Sequence, residues 1–413
     1  MNLRQIRQYN IRQQEVYAAK TGIQVDIQNI GKNTRTIALR EKPSVKEIKK
    51  GVFLKKEVLE FTNNFVNVYD LYWNQKNSMV EPSIHSEKKP YYMLDHMQSD
   101  PSVLAIINGS FFFLVDFPER EPKDYPFHFC VRDGKIMGLL SLDEPVLYIQ
   151  NGELNAKNAK AQGRLQIADT CIDWAGPNRK SKKATATLYN SGTAKLIKEF
   201  DPKTGVRVGR LDYRYIHTPS KKTVTDLVIN RKRGKLVVSE INTGGGTHYF
   251  DGLFILQIKT RDNTFKVGDT VTPLVLDGLD LKSITAAVTI GKGVRDPYFY
   301  TPERIASRDA RSVIAKDIFG NIHFLVFDGS KYIPSFKGVS ANDISSYLPK
   351  EKYEWAYFLD GGSSSRIVVK KGKKETLLAN EFAFKKISNE VFLWDSKRHR
   401  KLASTIALKL RKN

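Results

Sequence analysis

The chain has little cysteine and no long apolar segment. Cys130 and Cys171 are its only two cysteines, and neither lies in a CxxC pair or among histidines at metal-ligand spacing. This pattern argues against a disulfide framework and predicts two buried, reduced thiols. The first residues lack the apolar stretch of about 7–15 residues that marks a signal peptide, and no apolar run reaches the roughly 18 residues that span a bilayer. We therefore expect no membrane span and a cytoplasmic location.

Acidic residues are scarce relative to basic ones. The 67 Lys and Arg outnumber the 44 Asp and Glu, which gives a formal net charge of +23. The excess is concentrated in residues 4–56, 179–235 and 370–412, where no DNA-reading motif occurs. Such a field attracts nucleic acid, acidic membrane surfaces and phosphorylated substrates alike. The charge therefore leaves open whether the basic termini bind a polyanion or only keep the chain soluble.

The order of sequence patterns predicts an α+β fold, with a mostly antiparallel β-sheet system and flanking helices. Short apolar runs alternate with the hairpin pairs Asp133-Gly134 and Asn151-Gly152, which is typical of antiparallel strands. Helices are expected near residues 3–19, 91–99 and 339–349, the last entered through an Asn or Asp cap. We divide the chain into a basic N-terminal extension (1–59), a main domain (60–396) and a basic C-terminal tail (397–413).

Three apolar strands end abruptly in small and polar residues. They are LAIINGSFF, DARSVIA and AYFLDGGSSS, whose polar ends lie at Asn108, Arg311 and Asp360. A buried strand holds its last residues on a rigid base while the following turn exposes them. Glycines in such turns leave backbone N–H groups accessible to an anionic oxygen. These ends are therefore candidate site segments, although each one alone is also an ordinary β-turn.

Taken together, these segments resemble the phosphodiester glycosidase family. The family pattern runs from A-hydrophobic-NGGFF through RTAIG and a strand ending in DG to LDGGGSS. This chain has AIINGSFF at 105–112, ARSVIA at 310–315, LVFDG at 325–329 and LDGGSSS at 359–365, in that order. The resemblance extends over residues 60–396. Ser110, Ala315 and Ser363 replace glycines of the pattern, so the resemblance does not carry over the N-acetylglucosamine specificity of the family's best-known member.

The resemblance implies roles for four residues. Asp360 is the leading carboxylate, because a glycosidic transition state is cation-like and a fixed carboxylate stabilises or attacks it. Arg311 matches the family's Arg-Thr position, and its guanidinium can donate two parallel hydrogen bonds to two phosphate oxygens. Asn108 offers a donor and an acceptor to a sugar, and Asp328 is the candidate second carboxylate. The alternatives are turn capping for Asp360, Asn108 and Asp328, and a surface salt bridge for Arg311.

The remaining site residues are expected to bind substrate. They are Gly109, Ser110, Asn178, Arg179, Ser312, Gly361, Gly362, Ser363 and Ser364. We predict no cofactor and no metal site, although an oxygen-ligand site for a divalent cation that includes Asp360 or Asp328 stays open. The Gly-rich segment 242–250 lacks a P-loop lysine, which argues against nucleotide binding there.

The sequence thus predicts a hydrolase that cleaves the glycosidic bond of a sugar-1-phosphodiester, with an anionic small molecule or glycan as substrate. A serine hydrolase is disfavoured, because the chain has no GxSxG elbow and none of His128, His217, His248 and His323 is spaced as a base. Two rivals stay open. One is a non-catalytic protein that binds nucleic acid or another polyanion, and the other is a phosphodiesterase that attacks phosphorus.

Overall fold

A computed structural model describes most of the chain between residues 42 and 411. The described residues are 42–61, 64–109, 129–179, 183–190, 195–200, 207–212, 216–249, 253–295, 307–329, 337–371, 374–378, 384–388, 391–394 and 402–411.

The chain forms two units. Unit 1 comprises Met1–Tyr125, Gly152–Leu154 and Ile290–Asn413, and unit 2 comprises Pro126–Asn151 and Asn155–Thr289. Unit 2 is therefore an insertion within the chain of unit 1, whereas the sequence suggested one main domain over 60–396. The predicted boundary after residue 59 falls inside the strand Val52–Phe61, which pairs with Asn64–Asn74 along its whole length.

The described residues contain 30 strands and two α-helices. The first strands belong to unit 1 and are β1 (Ser44–Lys49), β2 (Val52–Phe61), β3 (Asn64–Asn74), β4 (Val80–Tyr91) and β5 (Val103–Asn108). The strands of unit 2 are β6 (Cys130–Arg132), β7 (Lys135–Gly138), β8 (Glu144–Gln150), β9 (Glu153–Ala159), β10 (Gln162–Ile167), β11 (Thr170–Ala175), β12 (Ala186–Tyr189), β13 (Lys195–Phe200), β14 (Arg207–Asp212), β15 (Ile216–His217), β16 (Ser220–Lys232), β17 (Lys235–Gly245), β18 (His248–Tyr249), β19 (Phe254–Lys259), β20 (Thr270–Leu276), β21 (Leu279–Asp280) and β22 (Ile284–Thr289). Unit 1 continues with β23 (Arg311–Asp317), β24 (Asn321–Phe327), β25 (Tyr353–Phe358), β26 (Ile367–Lys371), β27 (Lys374–Leu378), β28 (Phe384–Ser388), β29 (Val391–Trp394) and β30 (Leu402–Leu410). The helices are α1 (Met93–Ser99) and α2 (Ala341–Tyr347).

The predicted α+β class with flanking helices is wrong. The described residues form 30 strands but only two α-helices, so the fold is mostly β. Both helices have seven residues, too few to form a layer over a sheet. Both were expected from the sequence, but α2 is capped by Ser340 in a capping box with Asp343 rather than by Asn or Asp. The expected helix at 3–19 lies outside the described residues.

Unit 1 contains two larger antiparallel sheets. The first has the order β1-β2-β3-β24-β23-β25, and the second has the order β27-β26-β5-β30-β4. Helix α2 packs on the first sheet through Ile344, and α1 packs on the second through Met93 and Met97. The central strands are buried on both faces, as in β24, where all residues from 322 to 327 are buried. Each large apolar side chain buried in this way contributes about 1.5–3 kcal/mol, so these strands are rigid supports.

Unit 2 is built around a sheet that closes on itself. Its order is β10-β11-β12-β19-β16-β17-β20-β21, and β10 also pairs with β20. A large apolar cluster that includes Leu165, Trp174, Leu227 and Leu256 forms most of its core, and Tyr189, Val228 and Ile255 form a smaller one. The predicted hairpin turns are confirmed, because Asp133, Gly134, Asn151 and Gly152 all have positive φ. Cys130 is buried, but Cys171 is exposed rather than buried as predicted.

A buried ionic cluster lies on the six-stranded sheet of unit 1. Nδ1 of His323 is 3.0 Å from Oδ1 of Asp70, and its Nε2 is 3.4 Å from Oδ2 of Asp317. Burial lowers the pKa of His323, but the carboxylates of Asp70 and Asp317 outweigh this effect, so the pKa is raised above its ordinary value. Because both ring nitrogens face carboxylates, the cluster favours the imidazolium form.

No helix among the described residues is long and apolar enough to span a membrane.

Candidate functional site

The three predicted strand ends meet at one edge of unit 1. The register places the start of β23 beside the ends of β24 and β25, since Arg311 pairs with Phe327 and Val313 pairs with Phe358. The end of β5 joins this edge through the backbone, because the N–H of Asp360 donates to the carbonyl of Gly109 at 3.0 Å. Residues that are far apart in sequence thus form one cluster, which we call the strand-end site: residues 108–109, 310–312, 328 and 360–365.

Asn108 holds the segments of this site together through three hydrogen bonds, which we call the Asn108 clamp. It is fully buried. Its Nδ2 donates to the carbonyl of Asp360 at 2.7 Å. Its Oδ1 accepts from Oγ of Ser312 at 2.6 Å and from the N–H of Arg366 at 3.2 Å. One amide side chain therefore ties β5 to β23 and to both sides of the turn after β25, and Ser312, also fully buried, fixes its orientation.

The turn after β25 is held against the start of β23. The N–H of Gly362 donates to the carbonyl of Ala310 at 2.9 Å. A Cβ on Gly361 would lie 3.3 Å from Nη1 of Arg311, a close approach that leaves little room for a side chain. Gly362 has a φ of 59°, in the left-handed region that glycine adopts without strain. The N–H of Gly362 is therefore used within the protein, and the predicted contact of Gly361 and Gly362 with substrate stays a prediction.

Buried hydrogen-bonding groups without a protein partner collect at this turn. Oγ of Ser364, Oγ of Ser365 and Nε of Arg311 are buried and have no hydrogen-bond partner among the described residues. Buried polar groups in folded proteins are nearly always satisfied by protein, water or ligand. Three such groups on two neighbouring segments are therefore typical of a site that binds a polar ligand.

The guanidinium of Arg311 contacts neutral oxygens of Ser307. Its Nη2 is 3.2 Å from the carbonyl of Ser307 and 3.4 Å from the hydroxyl of the same residue. No carboxylate within salt-bridge distance of Arg311 occurs among the described residues. The guanidinium is thus oriented by neutral oxygens, which leaves its charge available to an anion.

The two carboxylates of the site differ in exposure. Asp360 is half-buried, and its backbone is fixed on both sides by Gly109 and Asn108. Asp328, which is 1% exposed, follows β24, and its Oδ1 accepts from the N–H of Gly329 at 2.8 Å. Asp360 is therefore the carboxylate that a ligand reaches more easily, whereas Asp328 belongs to the adjoining strand end.

Several predicted site residues lie elsewhere or outside the described part of the chain. Asn178 and Arg179 belong to unit 2, where Arg179 forms a two-point pair with Asp143 at 3.1 and 3.2 Å. Ser110, the side chain of Ser363 and His128 lie outside the described residues. Within those residues, no group of three or more His, Cys, Asp or Glu side chains has the arrangement of a metal site.

Sequence reasoning missed two contributors to the site. Ser307 orients Arg311 from four residues upstream, and Arg366 supplies a backbone N–H to Asn108. The only signal for Arg366 was a charged residue between SSS and the apolar run IVV. No sequence signal identifies Ser307, because its shorter contact with Arg311 is made through the backbone carbonyl, which every residue has.

Comparison with models of protein families gives a match for this chain. A family model described as phosphodiester glycosidase matches residues 190–406, slightly more than half of the chain. No curated protein gives a significant match.

Three solved structures are similar to this chain. A hypothetical protein from Synechocystis aligns with a TM-score of 0.54 and 12% identity over 90% of this chain and 64% of that one, so the chain spans less than two thirds of the relative's length. This match shows a shared fold. A putative exported protein from Burkholderia pseudomallei aligns with a TM-score of 0.48 and 16% identity, covering 84% of this chain and 74% of that one. The catalytic domain of zebrafish N-acetylglucosamine-1-phosphodiester alpha-N-acetylglucosaminidase, auto-inhibited by its pro-peptide, aligns with a TM-score of 0.41 and 9% identity over 91% of this chain and 89% of that one.

Proposed function

Because the chain belongs to the phosphodiester glycosidase family, we propose that it hydrolyses the glycosidic bond of a sugar-1-phosphodiester at the strand-end site of unit 1. The observation that carries this proposal is the pair of buried, unpartnered hydroxyls of Ser364 and Ser365 in the turn whose Gly361 lies against Arg311. Hydroxyl and guanidinium donors together suit the oxygens of a phosphodiester.

In the proposed reaction, Arg311 binds the phosphate and Asp360 acts at the anomeric carbon. The C1–O bond breaks, the phosphate oxygen leaves with the electron pair, and the oxygen of a water molecule becomes bonded to C1. Charge at C1 is positive in the transition state, so the carboxylate of Asp360 stabilises it or forms the covalent intermediate. Asp328 is the proposed second carboxylate, which manages the proton of the water or leaving group.

Asn108 and Ser312 have a different role in this proposal from the one suggested by the sequence. Both side chains are fully buried and are used in holding the turn that carries Asp360. We therefore assign them as positioning residues rather than as groups that contact the sugar. A displacement of about 1 Å at a reacting group is enough to lower a rate by roughly 100-fold.

The proposal is tested by incubating the purified chain with a panel of sugar-1-phosphodiesters and measuring free sugar. We expect release from at least one member and a fall of about 100-fold or more for Asp360→Asn, with full activity for the exposed control Asp95→Asn. Reaction in ¹⁸O-labelled water separates the two modes of attack. Label in the sugar supports the glycosidase, whereas label in the phosphate, or no release from any member by the folded protein, would overturn it.

A further inference from the structure

Unit 2 contains an open cleft at one end of its closed sheet. The cleft has a volume of about 460 Å³ and lies among β10, β11, β20 and the turn before β21. Its wall includes Gln162, Arg164, Asp173, Trp174, Lys183 and Asp277. This volume is within the range of about 300–1,000 Å³ that is typical of small-molecule sites.

The cleft forms where the pairing of strands is irregular. The register of β10 against β20 shifts between Arg164 and Leu165, which places one extra residue on β20. Such bulges bend a strand and redirect its side chains, and they are common at the ends of closed sheets and next to binding sites. The following turn has φ values of 45° at Asp277 and 82° at Gly278, so it folds back sharply and forms one side of the cleft.

The polar side chains of the wall are fixed in place by one another. Nε of Arg164 is 2.7 Å from Oδ1 of Asp173, and its Nη2 is 3.3 Å from Oδ2. In the turn between β20 and β21, the carboxylate of Asp277 accepts from Nζ of Lys157 at 3.0 Å and from Nε2 of Gln162 at 3.2 Å. These hydrogen-bonding side chains are therefore ordered before a ligand binds, which lowers the entropy cost of binding.

An indole donor without a partner lies at the inner wall. Trp174 is 1% exposed, and its Nε1 has no hydrogen-bond partner among the described residues. That nitrogen lies 3.1 Å from the place where a Cβ on Gly163 would sit, and Gly163 itself lines the cleft. A buried indole N–H nearly always has an acceptor. Its position next to the cleft therefore indicates that a ligand oxygen or a water is its partner.

The charges of the wall indicate the class of ligand. Arg164 is neutralised by Asp173, and Lys157 is neutralised by Asp277, in a chain whose formal net charge is +23. Among the described residues of the wall, only Lys183 adds a charge without an ion-pair partner, so the described wall does not share the strong excess of basic residues. Alternating fixed donors and acceptors around an aromatic side chain suit a ligand with many hydroxyl groups and no charge.

We propose that this cleft binds a neutral oligosaccharide. The site belongs to unit 2 and is independent of the hydrolysis proposed for unit 1. Hydroxyls of the sugar would exchange hydrogen bonds with the Arg164–Asp173 and Gln162–Asp277 pairs, and one would accept from Trp174.

Isothermal titration calorimetry on the full chain tests the proposal. The probes are the tetrasaccharides of cellulose, chitin, xylan and amylose, with a heparin tetrasaccharide as the charged comparison. We expect saturable binding of at least one neutral probe, weakened about tenfold or more by Asp173→Asn, the loss of roughly one hydrogen bond to a charged group. Trp174→Phe, which keeps the ring and removes the N–H, should weaken binding while thermal unfolding shows the unit folded.

The matched control is Arg261→Gln, which alters an exposed Arg–Asp pair of unit 2 outside the cleft and should leave binding unchanged. Asp360→Asn should also leave it unchanged, which separates this site from the one in unit 1. The proposal is overturned if no neutral probe binds, if only heparin binds with a steep dependence on salt, or if Asp173→Asn and Arg261→Gln behave alike.

Discussion

Replacement of Ser312 by alanine tests whether the clamp around Asn108 holds the strand-end site together. The change removes the hydroxyl that donates to Oδ1 of Asn108 at 2.6 Å, at a position with no exposure. A buried hydrogen bond contributes about 0.5–1.5 kcal/mol net, and a buried polar group left without a partner costs about 1–3 kcal/mol. Because Oδ1 keeps the N–H of Arg366 at 3.2 Å, we expect the free energy of unfolding to fall by about 1–2 kcal/mol.

Asn108→Ala should have a larger effect. It removes all three hydrogen bonds of the clamp and leaves the carbonyl of Asp360, the hydroxyl of Ser312 and the N–H of Arg366 without that partner. We expect a loss of about 3–5 kcal/mol, and a coupling of about 1 kcal/mol or more between the two substitutions in a double-mutant cycle. Turnover should fall by about 10-fold or more for Ser312→Ala, since the turn that carries Asp360 loses its support.

The assay is urea unfolding of the full chain, with hydrogen–deuterium exchange of residues 103–108 as a local measure. Ser141→Ala is the matched control, because Ser141 makes the same kind of buried bond to Asn190 in unit 2. It should lower stability to a similar extent without faster exchange at 103–108. A change below about 0.3 kcal/mol for Ser312→Ala, with no coupling to Asn108→Ala, would refute the clamp.

Two further predictions concern charge. Arg311→Lys keeps the positive charge but cannot donate two parallel hydrogen bonds to the phosphate. We therefore expect KM for the phosphodiester to rise by about tenfold or more, in line with the loss of one charge-assisted hydrogen bond. An unchanged KM with a lower kcat would contradict a binding role. Because the pKa of His323 is raised in the folded state by Asp70 and Asp317, its contribution to stability is complete below the unfolded value of about 6.5 and is lost as pH rises through the folded pKa. Urea unfolding between pH 5 and pH 9 should therefore show this loss in the native chain and not in His323→Gln, and parallel curves for the two proteins would show that the cluster does not depend on pH.

The positions of several strands and turns were predictable from the sequence, because the residue patterns that favour a strand or a turn extend over only a few residues. Alternating and continuous apolar runs marked β5, β24 and β25, and the pairs Asp133-Gly134 and Asn151-Gly152 marked the hairpins β6–β7 and β8–β9. The short helices α1 and α2 were also expected. The class was wrong because α1 and α2 have only seven residues each, and no local pattern specifies how much of a sheet a helix covers.

The sequence identified candidate site residues from their chemical type and their position at strand ends, but it did not fix the role of each one. The roles of Asp360, Arg311 and Asp328, the polyanion-binding rival and the cytoplasmic location all stay predictions. For Asn108, the sequence left a turn role and a sugar contact open, and the full use of its amide by Asp360, Ser312 and Arg366 supports the positioning role proposed above.

The sequence by itself determined where strands end in glycine, serine and a charged residue, since backbone preference and burial act over a few neighbours. Only the tertiary structure decided that the ends of β5 and β25 lie beside the start of β23, that unit 2 is inserted between β5 and β23, and that β10 pairs with β20. Pairing between distant strands depends on backbone hydrogen bonds and on the packing of whole faces. Those forces are shared by every strand of similar composition, so the partner of each strand is fixed only when the entire core is assembled.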